Sequence, residues 1–143
     1  MDSAATPPSS KYPGMIKLAQ QFARFGTVGA MGFVVDFAVV SALKGSIGPY
    51  LAGYLAFPVA ASFTWLLNRI WTFRGQGSGP LHRQWAKFLA ANALGFFLNR
   101  GTYTLAILFV PFAASHVVVA LLAGTLAGMF VNFHLSRAVV FKS

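Results

Sequence analysis

Four long apolar stretches divide the chain, at about residues 22–43, 50–71, 85–110 and 116–139, with polar, basic or turn-forming residues between them. Runs of about 18 or more mainly apolar residues are read as transmembrane helices, because a hydrocarbon layer ~30 Å thick takes about 20 residues at a rise of ~1.5 Å each. The pattern predicts an all-α membrane protein whose four transmembrane helices form two helical hairpins. Lys44-Gly45-Ser46-Ile47-Gly48-Pro49 reads as the turn of the first hairpin, and Pro111 to Ser115 as the uncharged turn of the second. Arg74 to Lys87 is the one substantial loop. It is glycine-rich over Gly75-Gln76-Gly77-Ser78-Gly79-Pro80 and then basic with His82, Arg83 and Lys87. Met1 to Pro13, with Pro7-Pro8 and Ser9-Ser10, reads as a disordered tail. Lys11 to Arg24 mixes Ile16, Leu18 and Phe22 with Lys17, Gln20 and Arg24 into an amphipathic lead-in. Residues 1–21 are therefore expected to form an N-terminal segment, and 22–143 the four-helix domain. No small-residue cleavage site follows a short apolar core, so a signal peptide is not expected.

The second and fourth stretches end alike. Leu66-Leu67-Asn68-Arg69-Ile70-Trp71-Thr72-Phe73 returns as Leu135-Ser136-Arg137-Ala138-Val139-Val140-Phe141, with a leucine two residues before the arginine and a phenylalanine four after it. Arg69 and Phe73 match Arg137 and Phe141 at an offset of 68, while Phe25, Gly32 and Asp36 match Phe88, Gly95 and Asn99 at an offset of 63. Each half is thus one hairpin of a parallel repeat, related by an axis along the membrane normal. Small residues at Gly26, Gly29, Ala30 and Gly32, the spaced Ala52, Ala56 and Ala60, and Gly124-x-x-x-Gly128 offer faces for close helix packing, and with it a possible homodimer.

Composition agrees with the pattern. The 143 residues are 57% hydrophobic and 9% charged, where a soluble domain carries about 25% charged residues. The net charge of +9 comes from cations that flank apolar spans, so anionic lipid is the expected partner and nucleic acid is not. Lys11, Lys17, Arg24, Arg69, Arg74, Arg83, Lys87, Arg137 and Lys142 fall on one side, and only Lys44 on the other. The positive-inside rule then puts the N- and C-termini and the 74–87 loop in the cytoplasm, in a multi-pass protein of the cytoplasmic (inner) membrane. The chain has no cysteine, which removes disulfides and thiol chemistry.

The chemistry on offer is narrow. There is no nucleotide-binding glycine loop, and His82, His116 and His134 are scattered, so neither a metal nor another cofactor is expected and the chain does not read as an enzyme. Arg24-Phe25 before Val28-Gly29, Asp36, Asn68-Arg69-x-Trp71-Thr72-Phe73 and Asn132-Phe133-x-x-x-Arg137-x-x-x-Phe141 give the chain, over about residues 22–142, a resemblance to the GtrA-like family of small four-helix membrane proteins. It departs from the family at Thr64-Trp65, where Asn-Phe is frequent. The resemblance implies a role in cell-surface polysaccharide synthesis: translocation of a polyprenyl-phosphate-linked sugar across the membrane, often beside a membrane glycosyltransferase.

Such a lipid has an apolar tail, an anionic phosphate and a hydroxyl-rich head. Cations at headgroup depth suit the phosphate, arginine above all because its planar fork donates two hydrogen bonds. The candidate headgroup site is Asn68, Arg69, Arg74, Asn132 and Arg137, with Arg69 and Arg137 converging on one mouth. Asp36, Asn92, Asn99 and Arg100 form the candidate polar path within the membrane, with Asp36 and Arg100 at equal depth and expected to pair. The same residues admit a plainer reading, in which the cations set topology and anchor helix ends. Two other functions fit the sequence: a non-transporting scaffold for a polyprenyl-phosphate glycosyltransferase, and a small proton-coupled exporter built on Asp36.

Overall fold

The computed structural model describes residues 13–142. Among these residues the chain is helical, with no strand: α1 (Pro13–Ile47), α2 (Pro49–Leu67), α3 (Leu81–Phe109), a short α4 (Pro111–Ser115) and α5 (Val117–Leu135). At their ends α2 and α5 each widen into one π turn, Asn68–Thr72 and Ser136–Val140. The first hairpin turns on Gly48 alone, whose φ of 84° lies in the left-handed region that glycine adopts without a steric penalty. Pro49 follows in the first turn of α2, where its missing N–H costs nothing. The proposed tail over residues 1–12 lies outside the described residues. The lead-in is not separate, since α1 runs unbroken from Pro13, and its 35 residues measure ~52 Å. That exceeds a hydrocarbon layer of ~30 Å, so α1 extends past the membrane core.

Among the described residues, length and composition suit three helical segments to crossing a membrane: Gly14–Ile47, Pro49–Thr72 and Val117–Val140. The chain is accordingly a multi-pass membrane protein. The 29-residue α3 is long enough but less apolar, because it carries Arg83, Lys87, Asn92, Asn99 and Arg100.

α1 packs along α2, and α3 along α5. The two hairpins meet through α2 with α3 and α1 with α5, while α1 and α3 stay apart, as do α2 and α5. The four long helices thus form a ring with the two repeats on opposite sides. The expected duplication is visible in the packing. Ala52, Ala56, Ala60, Thr64, Asn68 and Thr72 are buried at a spacing of four on one face of α2 and its π turn. Ala120, Gly124, Gly128, Ser136 and Val140 are buried on the equivalent face of α5, with Asn132 half-buried among them. Each stripe is small and apolar at the end near the hairpin turn and becomes polar, apart from Val140, toward the end bearing Arg69 and Arg137, called the basic end below.

Glycines let the hairpins close. A Cβ on Gly32 would collide with the Thr64 methyl, and one on Gly95 with the Asn132 amide, the equivalent crossing in the second half. A Cβ on Gly124 would lie 2.6 Å from the Asn99 carbonyl oxygen, and one on Gly128 would lie 2.8 Å from that of Gly95. Gly124-x-x-x-Gly128 therefore serves contact between α5 and α3 of one chain, and the alanine stripe is likewise buried within the chain. Neither face is left free for a second copy.

The densest core lies at the basic end and is aromatic. Phe25 meets Phe73 edge to face at 6.2 Å and 66°, and Phe88 meets Phe141 at 6.2 Å and 65°. Phe73 and Phe141 stack across the repeat axis at 4.8 Å. Such pairs contribute ~0.5–1.5 kcal/mol each beyond area burial. Elsewhere large apolar side chains such as Phe33, Phe37, Tyr54, Phe97 and Phe130 are exposed, as a lipid-facing surface allows.

Candidate functional site

Polar side chains gather at the basic end, and the two π turns position them. The Phe73 amide donates to the Asn68 carbonyl at 2.8 Å and the Phe141 amide to that of Ser136 at 2.8 Å, each five residues back. The wider turn buries two successive side chains, Thr72 with Phe73 and Val140 with Phe141. A π turn is rare and is often found at functional sites.

Gln84, buried in the first turn of α3, joins the two hairpins. Its Oε1 accepts from Arg69 Nη1 at 2.7 Å and from Trp65 Nε1 at 3.2 Å. The first bond is charge-assisted and the shorter of the two. Gly77, at φ 95°, leaves room for this amide, since a Cβ there would lie 2.5 Å from Gln84 Nε2. A second tether runs from Trp85 Nε1 to Ser62 Oγ at 2.8 Å. Within the first hairpin, the Arg24 guanidinium lies 5.7 Å from the centre of the Trp71 ring, a cation–π contact.

Two shallow hollows flank the C-terminal segment and share Lys142. One, of about 340 Å³, is lined by Arg83, Gln84, Lys87 and Lys142 together with Ser78 and Val140. The other, of about 300 Å³, is lined by Gln76, His134, Arg137, Phe141 and Lys142. Each presents at least two cations beside hydrogen-bonding groups, an arrangement suited to a phosphate.

The expected headgroup residues do not come together as one mouth. Arg137 lines the second hollow, whereas Arg69 is held by Gln84 and lines neither. Arg74 is exposed and also lies outside both. Asn68 is buried and Asn132 half-buried within the bundle, away from the hollows.

The polar path is not continuous either. α1 and α3 do not pack together, and among the described residues no ion pair joins Asp36 to Arg100. Equal depth was necessary for that pair, but the two helices stand diagonally across the ring. Asp36 is half-buried, while Arg100 is exposed and lies 5.6 Å from the centre of the Phe96 ring. Asn92 donates to the Phe88 carbonyl of its own helix at 2.9 Å, and Asn99 packs onto Gly124 of α5.

Gln84, Trp65, Thr72, Ser136 and Lys142 are absent from the sequence-derived site. The repeat arithmetic points to two of them: Gln84 lies 63 residues after Gln21, and Ser136 lies 68 after Asn68. Residues 24–141 match the family model described as GtrA/DPMS, transmembrane domain. A search of curated proteins finds no significant match.

Proposed function

Because the chain belongs to the GtrA/DPMS transmembrane-domain family, we propose that it handles a polyprenyl-phosphate-linked sugar in cell-surface polysaccharide synthesis and moves it across the cytoplasmic membrane. The basic end faces the cytoplasm, as the positive-inside rule requires, and α3 crosses as the fourth span, covered along one side by α5. The pair of basic hollows at the basic end is the observation that carries this reading. A phosphate entering from the cytoplasmic leaflet meets Arg83, Lys87 and Lys142 in one hollow and Arg137 and Lys142 in the other. Arg69 stands beside the same end and can exchange Gln84 for phosphate. Large apolar residues on the outer faces of the helices leave room for an isoprenoid tail in the surrounding lipid.

The scaffold reading rests on a different feature. Met15 and Ile16 are exposed with Lys17 at the start of α1, a surface that a partner glycosyltransferase could cover. Reconstitution separates the two. Purified protein in liposomes, with a fluorescent polyprenyl-phosphate-linked sugar in the outer leaflet, should move the labelled lipid to the inner leaflet without a partner. No transfer, with a glycosyltransferase bound or made more active by the protein, would favour the scaffold. No transfer, no binding of the lipid and no effect on a glycosyltransferase would remove both.

A further inference from the structure

Among the described residues, four side-chain oxygens at the basic end are closed to solvent and have no hydrogen-bond partner within the protein: Asn68 Oδ1, Thr72 Oγ1, Asn132 Oδ1 and Ser136 Oγ. Their residues occupy the polar ends of the two buried stripes, and Asn68 and Ser136 are equivalent positions that open the two π turns. Asn68, Thr72 and Ser136 are 2%, 3% and 0% exposed, so water does not reach them from outside. A buried polar atom without a partner is unfavourable, and native interiors satisfy it with protein, an ordered water or a ligand. The stacked Phe73 and Phe141 follow directly after Thr72 and Val140 and are buried in the aromatic core at this end.

The chemistry of the four atoms selects their partner. An amide Oδ1 can only accept, and a phosphate diester offers it no donor, although each amide's Nδ2 could still donate to one. No carboxylate belongs to the group, and Arg69 and Arg137 directly follow Asn68 and Ser136 in the chain, which opposes a metal cation. Neutral hydroxyl donors satisfy all four atoms. We infer that Asn68 with Thr72 on the first hairpin, and Asn132 with Ser136 at the equivalent place on the second, form the two halves of a subsite for the hydroxyl groups of the sugar head, entered when the stacked phenylalanines part, with the lipid phosphate held beside it by the cations. This rests on the proposed handling of a polyprenyl-phosphate-linked sugar and divides the headgroup between two sets of residues.

The test compares binding of a polyprenyl phosphate with binding of the same lipid carrying glucose, galactose or mannose. It uses the wild type and the variants Asn68→Leu, Thr72→Val and Ser136→Ala in nanodiscs, with thermal stability measured in parallel. The wild type should prefer at least one glycosylated lipid. Each variant should lose roughly three- to tenfold of that preference per oxygen removed and bind the bare phosphate lipid unchanged. Its stability should stay level or rise, because an unpaired buried oxygen has gone. Ser136→Ala, the mildest change, carries the test if Asn68→Leu does not fold. A wild type that binds both kinds of lipid equally would overturn the sugar subsite and leave the phosphate reading standing. Binding of neither would overturn the proposed function and the subsite together. Variants that keep the preference but unfold earlier would show a structural role only, and stabilisation of the wild type by sodium ions, lost in the variants, would show a cation site; either overturns the inference.

Discussion

The glycine contacts between α3 and α5 give the most direct measure of how the second hairpin is held. In Gly128→Ala the new Cβ would stand 2.8 Å from the Gly95 carbonyl oxygen and 3.0 Å from Asn99 Cβ. Backbone and Cβ atoms cannot swing aside as a long side chain can, so the helices must separate locally, and overpacking of this kind costs ~1–3 kcal/mol. Alanine also raises helix propensity over glycine by ~1 kcal/mol, which would hide part of the loss. Gly29→Ala supplies the control, because a Cβ there meets nothing within 4 Å and receives only the propensity gain. The difference in unfolding free energy between the two variants should therefore be ~1–3 kcal/mol, with Gly128→Ala the less stable. Unfolding in mixed micelles on titration with a denaturing detergent measures it, and light scattering follows the oligomeric state. If Gly128→Ala were as stable as Gly29→Ala but shifted a monomer–dimer equilibrium, the glycines would act between chains and the intramolecular packing would be wrong.

Gln84→Leu leaves Arg69 Nη1 and Trp65 Nε1 without their acceptor, so stability should fall by ~1.5–3 kcal/mol, mostly from the charge-assisted bond; unchanged stability in the same micelle titration would remove the clamp. Asp36→Asn and Arg100→Gln should have independent effects, with a double-mutant coupling below ~0.5 kcal/mol, because the two helices do not pack together; a larger coupling would restore the ion pair. Arg137→Lys keeps the charge of the second hollow but loses the planar fork, so surface expression should be normal and polyprenyl-phosphate binding weakened; wild-type affinity would reduce Arg137 to a helix anchor. A cysteine at Ser78 should react with an impermeant maleimide only after the cytoplasmic side is opened, and reaction in intact cells would reverse the orientation.

What the sequence determined by itself is whatever accumulates along one dimension. Transfer of apolar side chains out of water adds residue by residue, so the four long helices could be found from hydropathy alone, although α1 begins at Pro13, nine residues before its apolar stretch. The offsets of 63 and 68 revealed the repeat, and the one-sided cations marked the basic end. Depth is also a linear property, which is why Asp36 and Arg100 could be set level. Which helices touch is not linear: it depends on the order of helices around the ring and on the rotation of each about its axis. Only packing decided that α1 and α3 stand diagonally, and that Gly124-x-x-x-Gly128 meets α3 rather than another chain. The π turns left no compositional trace, yet they place Thr72 with Phe73 and Val140 with Phe141 inside. Gln84 looked like one more polar residue in a basic loop until the fold brought Arg69 and Trp65 onto its single carbonyl oxygen. A hydrogen bond needs its donor and acceptor within ~3 Å in three dimensions, and residues 15 and 19 positions apart meet there only because two hairpins dock.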